Sequence, residues 1–334
     1  MSKIKEWLST FKIGAPLALS VFGFYAIHRG LSTFCRTDMV PEFFSQSLSL
    51  FMFTTAIASL LCGPLLDKVN TRKVLLWSVA LGIIGLLSLQ FGPWGFAILF
   101  GVGSTLMRLA VFSSPMKLFD KKESWHIAPQ ASAKNFGSAF FILFFGAVAL
   151  GLGWGVFSII LSVFLAITGL YAYHILPNDR VVGWSYKIFP KLARDWKFWA
   201  MAVFYVACGL SGYYYFSHAI PSMLKSGIAI GTAITILATS FIFSGFCRWF
   251  AAWLGHKIGH IITMCIALGM VILSAFTVAH APVFIVYFAA VGLALMTPNY
   301  WPAMKQIWGP ANIATLGAFC YFFMALGAGT ALWR

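Results

Sequence analysis

A chain of 334 residues with 60% hydrophobic, 17% aromatic and only 9% charged side chains is too apolar to fold as two or three water-soluble domains. Its formal charge of +15 does not mark a nucleic-acid binder, because Lys and Arg stand singly or in small groups between apolar runs, with no basic domain to meet phosphates. What remains is an all-α polytopic membrane protein, since the runs are about twice barrel-strand length and do not alternate.

In chain order the runs predict eleven spans, at 13–35, 45–66, 74–91, 94–114, 129–150, 154–176, 198–222, 229–254, 261–280, 283–303 and 312–333. The first is too long for a cleavable signal peptide. Most connections are short, which makes neighbours antiparallel within a bundle. The longest, at 177–197, holds Pro177 and Pro190 as breakers among basic residues. It divides the chain into an N-terminal six-helix bundle over 1–177, a basic linker over 178–197 and a five-helix bundle over 198–334, with no twelfth span. Lys and Arg concentrate at the N-terminus and in the even-numbered connections, whereas the odd-numbered ones carry only Arg36 and Lys225. That asymmetry puts the N-terminus and the linker in the cytoplasm, with the protein in the inner or plasma membrane as a monomer among lipid.

Arg29 and Arg108, with His28 beside the first, lie well inside spans, where an ionised side chain costs about 2.5–3.5 kcal/mol on insertion scales and faces a cavity or a partner. All eight acids (Glu6, Asp38, Glu42, Asp67, Asp120, Glu123, Asp179 and Asp195) lie in connections or at helix ends, so no carboxylate is deep enough to neutralise them. A negatively charged ligand fits that imbalance. Arg108 has a second reading, as a structural group bonding carbonyls near Gly101 and Gly103. Lys134, about six residues into its span, is close enough to the surface to snorkel. Tyr213, Tyr214 and Tyr215 with His218 lie toward the outer half of the seventh span, where a membrane-interface belt accounts for Tyr215 and His218; Tyr213 is deeper and can donate to an anion. Pro298 and Pro302 flank Asn299 and are expected to break the tenth span. The six cysteines form no C-x-x-C pair and read as small buried hydrophobes. No metal, cofactor or catalytic constellation is spaced for chemistry, so no enzyme is expected.

The polar island Gly63-Pro-Leu-Leu-Asp67-Lys68-Val-Asn70-Thr-Arg72-Lys73 joins two spans. A degenerate second copy follows Arg248-x-x-x-Ala252-x-x-Gly255, with His256 where the first has Asp67. The island resembles the loop between the second and third helices of the major facilitator superfamily, and the six-plus-five arrangement is similar to that family over nearly the whole chain. The resemblance implies a two-bundle secondary transporter in which Gly63, Asp67, Arg72, Lys73 and Arg248 form a gate. Tyr25-Ala-Ile-His28-Arg29, Asn70 and Ser132-Ala-Lys134-Asn135-Phe-Gly137 resemble the organophosphate:phosphate antiporter branch; Tyr213 falls where that branch has a phosphate-binding arginine. By this resemblance Tyr25, His28, Arg29, Arg108, Lys134, Asn135 and Tyr213 are the candidate substrate contacts. The expected function is transport of a small anion by alternating access. A carrier of a neutral or hydrophobic solute, and a transporter-like sensor that does not cycle, stand as alternatives.

Overall fold

The computed structural model describes residues 14–24, 43–88, 91–119, 123–176, 188–278, 280–309 and 312–332. Tyr25, His28 and Arg29 lie outside the described residues, as does Cys35. All the regular structure among the described residues is helical. In order these are α1 (Gly14–Phe24), α2 (Phe43–Lys68), α3 (Thr71–Ser88), α4 (Pro93–Gly95), a π-helical turn (Phe96–Phe100) and α5 (Gly101–Leu118). There follow α6 (Glu123–Ile175), α7 (Ile188–Arg194), α8 (Trp196–Lys225), α9 (Ile230–Ile258), α10 (His260–Thr277), α11 (Pro282–Trp308) and α12 (Ile313–Leu332).

The helices are apolar around their whole circumference, as elements between lipid and a protein core must be. Their outward faces carry Ile57, Leu61, Val203, Phe246, Phe276 and Phe284, all well exposed from the protein. Eight described helical segments are long and apolar enough to cross a membrane. The small and polar side chains turn inward instead. α3 packs on α5 and α6, and α2 on α5, making the first bundle; α9, α10 and α11 pack on one another, and α8 on α10 and α12, making the second. The bundles meet along two long helix pairs, α2 with α12 and α6 with α9. Aromatic rings fill the first bundle: Phe96 stacks on Phe100 at 4.9 Å between centroids, and Phe100 on Phe24 at 5.2 Å.

The expected fifth and sixth spans meet at Gly153 within the helical stretch α6, where φ of 82° and ψ of 162° leave the helical region and divide it into two helices, as the sequence predicts. Glycine reaches that geometry without strain. Three features differ from the sequence reading. α6 begins at Glu123, not near 129. The linker expected over 178–197 contains α7, and Pro190 stands in its first turn, where a missing N–H removes no helical hydrogen bond. Finally, α11 runs unbroken through Pro298 and Pro302. Pro298 has no N–H to give to the Ala294 carbonyl, and Arg248 Nη1 donates to that oxygen at 3.4 Å in its place.

Candidate functional site

A cavity lies between the bundles, and its first wall is cationic. Arg108 projects from α5 and Lys134 from α6, and both line it while only 2% and 6% exposed. Lys134 is eleven residues past the start of α6 at Glu123, roughly 16 Å along the helix axis. Its burial on the cavity, and not its place along the helix, corrects the expectation that it reaches the surface. The Arg108 guanidinium lies over the Tyr321 ring, 4.7 Å from Cζ to the centroid. A cation over an aromatic face keeps its charge while shedding water, and such a contact contributes about 0.5–2 kcal/mol.

The facing wall comes from α8, α11 and α12. It includes Tyr205, Tyr213, Thr297, Tyr300 and Tyr321. The Tyr300 and Tyr321 hydroxyls are hydrogen-bonded to one another, and Tyr205 meets Tyr300 edge-on at 6.0 Å. Among the described residues no Asp or Glu lines the cavity. About 40 Å³ of it is open to the centre of a water-sized sphere. A water needs about 10–15 Å³ by that measure, so the cavity has room for a few waters.

Of the sequence-predicted contacts, the structure brings Arg108, Lys134 and Tyr213 to this one cavity. Asn135 points elsewhere. Its Nδ2 donates to Ser244 Oγ at 2.7 Å and its Oδ1 accepts from Arg248 Nη2 at 3.3 Å, which ties α6 to α9. Residue 135 follows 134 by about 100° around the helix, so only one of the pair can face the cavity. Tyr215 is buried, and its hydroxyl donates to Val286 O at 3.0 Å, a packing role inside the second bundle and not an interface belt. Sequence reasoning missed Tyr205 and Tyr321 and treated Tyr300 only as part of a kink. The signal was present, since a phenol deep within an apolar run needs a polar partner for the same reason a buried arginine does.

The candidate gate lies at the end of the bundles that carries the Gly63 island. Asp67, 1% exposed, accepts from Thr315 Oγ1 at 2.6 Å, Thr315 N at 2.9 Å and Ala314 N at 3.3 Å. Those amides are the first of α12, whose unpartnered N–H groups and positive dipole end favour a carboxylate. Gly63 makes the approach possible, because a Cβ there would overlap the Ala318 methyl. Ser124 Oγ meets His256 Nε2 at 2.9 Å, and Lys305 Nζ donates to Phe119 O at 3.1 Å, adding two further ties between the bundles.

The remaining island residues act within the first bundle. Asn70 Oδ1 accepts from Arg72 N at 2.9 Å and so caps α3. Arg72 Nε donates to Tyr173 O at 2.7 Å, with its guanidinium 4.8 Å from the Tyr173 ring. Lys73 is exposed, with no hydrogen bond to the second bundle among the described residues. Arg248 is fully buried and holds α11 and Asn135, and Gly255 lies so close to Asn299 that a Cβ would overlap Oδ1. Of the described cysteines, Cys62, Cys208 and Cys320 are buried, whereas Cys265 faces outward.

The sequence profile described as Major Facilitator Superfamily matches residues 15–332. Among solved structures, a crystal structure of the E. coli fucose:proton symporter FucP superposes with a TM-score of 0.72 at 15% identity, covering 94% of this chain and 89% of that one. A second FucP structure, in the outward conformation, gives a TM-score of 0.66 with the same identity and coverage. Among curated protein sequences nothing matches. Likeness at this identity carries the fold, and function has to be argued from the site.

Proposed function

The chain belongs to the major facilitator superfamily, and from that premise we propose that it carries a small anion through the Arg108–Lys134 cavity by alternating access. The family is one of membrane transporters, not enzymes. The observation that carries the anion reading is the pairing of two buried cations on one cavity whose lining, among the described residues, holds no carboxylate. In a low-dielectric site a bound anion lowers the free energy of both cations, and phenols around it can donate hydrogen bonds. Without a carboxylate among the described lining residues, exchange of one anion for another is the favoured coupling. The bundles are taken as 1–177 and 198–334 about the basic connection at 178–197. The Gly63 island faces the cytoplasm, where the excess of Lys and Arg places it. In this scheme Asp67 holds that end shut while the opposite end admits solute.

The test is transport by purified protein in liposomes, with phosphate esters, carboxylates, nitrate and sugars offered in turn. Uptake or exchange of an anion supports the reading. Uptake confined to neutral solutes would sink it. One observation favours that second reading: Arg108 already stacks on Tyr321, so its charge has a structural use, and the rest of the wall is phenolic. Arg108→Gln separates the two, since a neutral-solute carrier keeps its affinity in that variant.

A further inference from the structure

The walls of the cavity narrow the substrate class, within the anion-carrier reading on which this inference rests. Among the described residues the cations sit on one side only. Opposite them, α8, α11 and α12 set Phe216, Leu293, Met296 and Met324 among the tyrosine and threonine hydroxyls, and several of those hydroxyls are already engaged: Thr297 Oγ1 donates to Leu293 O at 3.5 Å, and Tyr300 and Tyr321 bond one another. An inorganic oxyanion carries acceptor oxygens on every side, and those turned to the carbon and sulfur of this wall would lose water without gaining donors. A carboxylate on a short carbon body matches both walls, with oxygens to the cations and carbon to the thioethers and rings.

A second, independent observation concerns Tyr205. It is 2% exposed and lines the same cavity, yet its hydroxyl has no nitrogen or oxygen partner among the described residues. The Cys320 thiol lies beside it, and a thiol is a weak partner for a phenol. Buried hydroxyls are nearly always satisfied in folded proteins. A polar atom of the occupant, other than its carboxylate, would complete this one.

We propose that the substrate is a short monocarboxylate bearing one further hydrogen-bonding group, such as a hydroxyl. Its carboxylate sits on Arg108 and Lys134, its carbons lie against Leu293 and Met296, and its second polar atom meets the Tyr205 hydroxyl.

The experiment is exchange of labelled 2-hydroxypropanoate near neutral pH in liposomes carrying the full-length protein, against protein-free liposomes. Unlabelled 2-hydroxypropanoate, propanoate, nitrate, phosphate and glucose serve as competitors, and propanoate, nitrate, phosphate and glucose are each also offered labelled in parallel. The expected order is 2-hydroxypropanoate, then propanoate, with nitrate and phosphate at least about tenfold weaker and glucose inert, a margin equal to one ordinary hydrogen bond or more. In Tyr205→Phe the half-inhibitory concentration of 2-hydroxypropanoate rises about tenfold and that of propanoate holds. Equal loss for both acids would overturn the Tyr205 contact. Exchange of phosphate or nitrate with both carboxylates inert would overturn the carboxylate class while leaving an anion carrier standing. Movement of neutral solute alone, or of nothing offered, overturns both. The wild-type order decides the class without the variant, so a Tyr205→Phe protein that fails to fold leaves the test intact.

Discussion

Replacing Asp67 by alanine is expected to open the end of the molecule that the Gly63 island closes. The wild-type carboxylate receives three hydrogen bonds from the first turn of α12, at 2.6, 2.9 and 3.3 Å, while almost fully buried between the bundles. Hydrogen bonds to a charged group are worth about 1.5–3 kcal/mol each, but three that share one carboxylate do not add. The 3.3 Å contact is long, and water reaches the amides once the end opens, so a net loss of about 3 kcal/mol is a fair central figure. That converts to about 150-fold in the ratio of closed to open conformers. Spin labels at Lys73 and Lys257, both exposed at this end and on opposite bundles, would report the ratio as a distance distribution by double electron–electron resonance. The expected result is one dominant short distance in the parent and a longer one in Asp67→Ala, with Asp67→Asn intermediate because it keeps one acceptor. Superimposable distributions in all three proteins would refute the reasoning, because they would mean that packing alone holds the bundles.

Gly63→Leu should block closure outright, since even a Cβ would overlap the Ala318 methyl; the protein should still reach the membrane but lose transport, and retained transport would show that α2 and α12 never need to meet. Gly255→Ala should cost about 1–3 kcal/mol by forcing Asn299 off its place, read as a lowered thermal midpoint in detergent. Arg248→Gln should be less damaging in a Pro298→Ala background, where residue 298 regains an N–H for the Ala294 carbonyl that Arg248 now serves at 3.4 Å; a double-mutant cycle of thermal midpoints with no coupling would contradict the assignment. The Asp195 carboxyl is held below its ordinary range by the hydrogen bond from Trp308 Nε1 and then by the Lys197 amide. Because the folded value is depressed, its contribution to stability is complete above the unfolded carboxylate value and is lost as pH falls through the folded one. Trp308→Phe should therefore flatten the acid limb of the midpoint-versus-pH curve, and an unchanged limb would argue against the link.

Much of the architecture was legible because bilayer thickness sets the length of an apolar run. The described helices α2, α3, α8, α9, α10, α11 and α12 each overlap an expected span. Depth along a helix was less legible. The opening turns of α6 carry Ser124 and His126, which look like a solvated connection until α9 covers Ser124 and Phe119 stacks on His126 at 3.6 Å. Lys134 looked superficial because its burial on the cavity emerges only when the second bundle is laid against α6. Asn70, read as a family signature, has a local reason in the cap it gives α3. The cavity itself was half legible. Buried cations announce themselves by their insertion cost, and Arg108 did so; Tyr205 and Tyr321 did not, because tyrosine is tolerated at membrane surfaces and its depth emerges only when α8 and α12 are laid together. Nor could the sequence pair Arg248 with the Ala294 carbonyl, which is 46 residues away on another helix.

The central claim is that Arg108 and Lys134 bind the transported anion. It is tested most directly by measuring KM for the exchanged anion in liposomes containing the parent, Arg108→Gln or Lys134→Gln proteins, each first shown to be folded by its thermal midpoint. Loss of one charge-assisted contact predicts a KM raised at least about tenfold in each variant, with exchange abolished in the double variant. KM unchanged in both single variants would contradict the account and leave the two cations as structural groups.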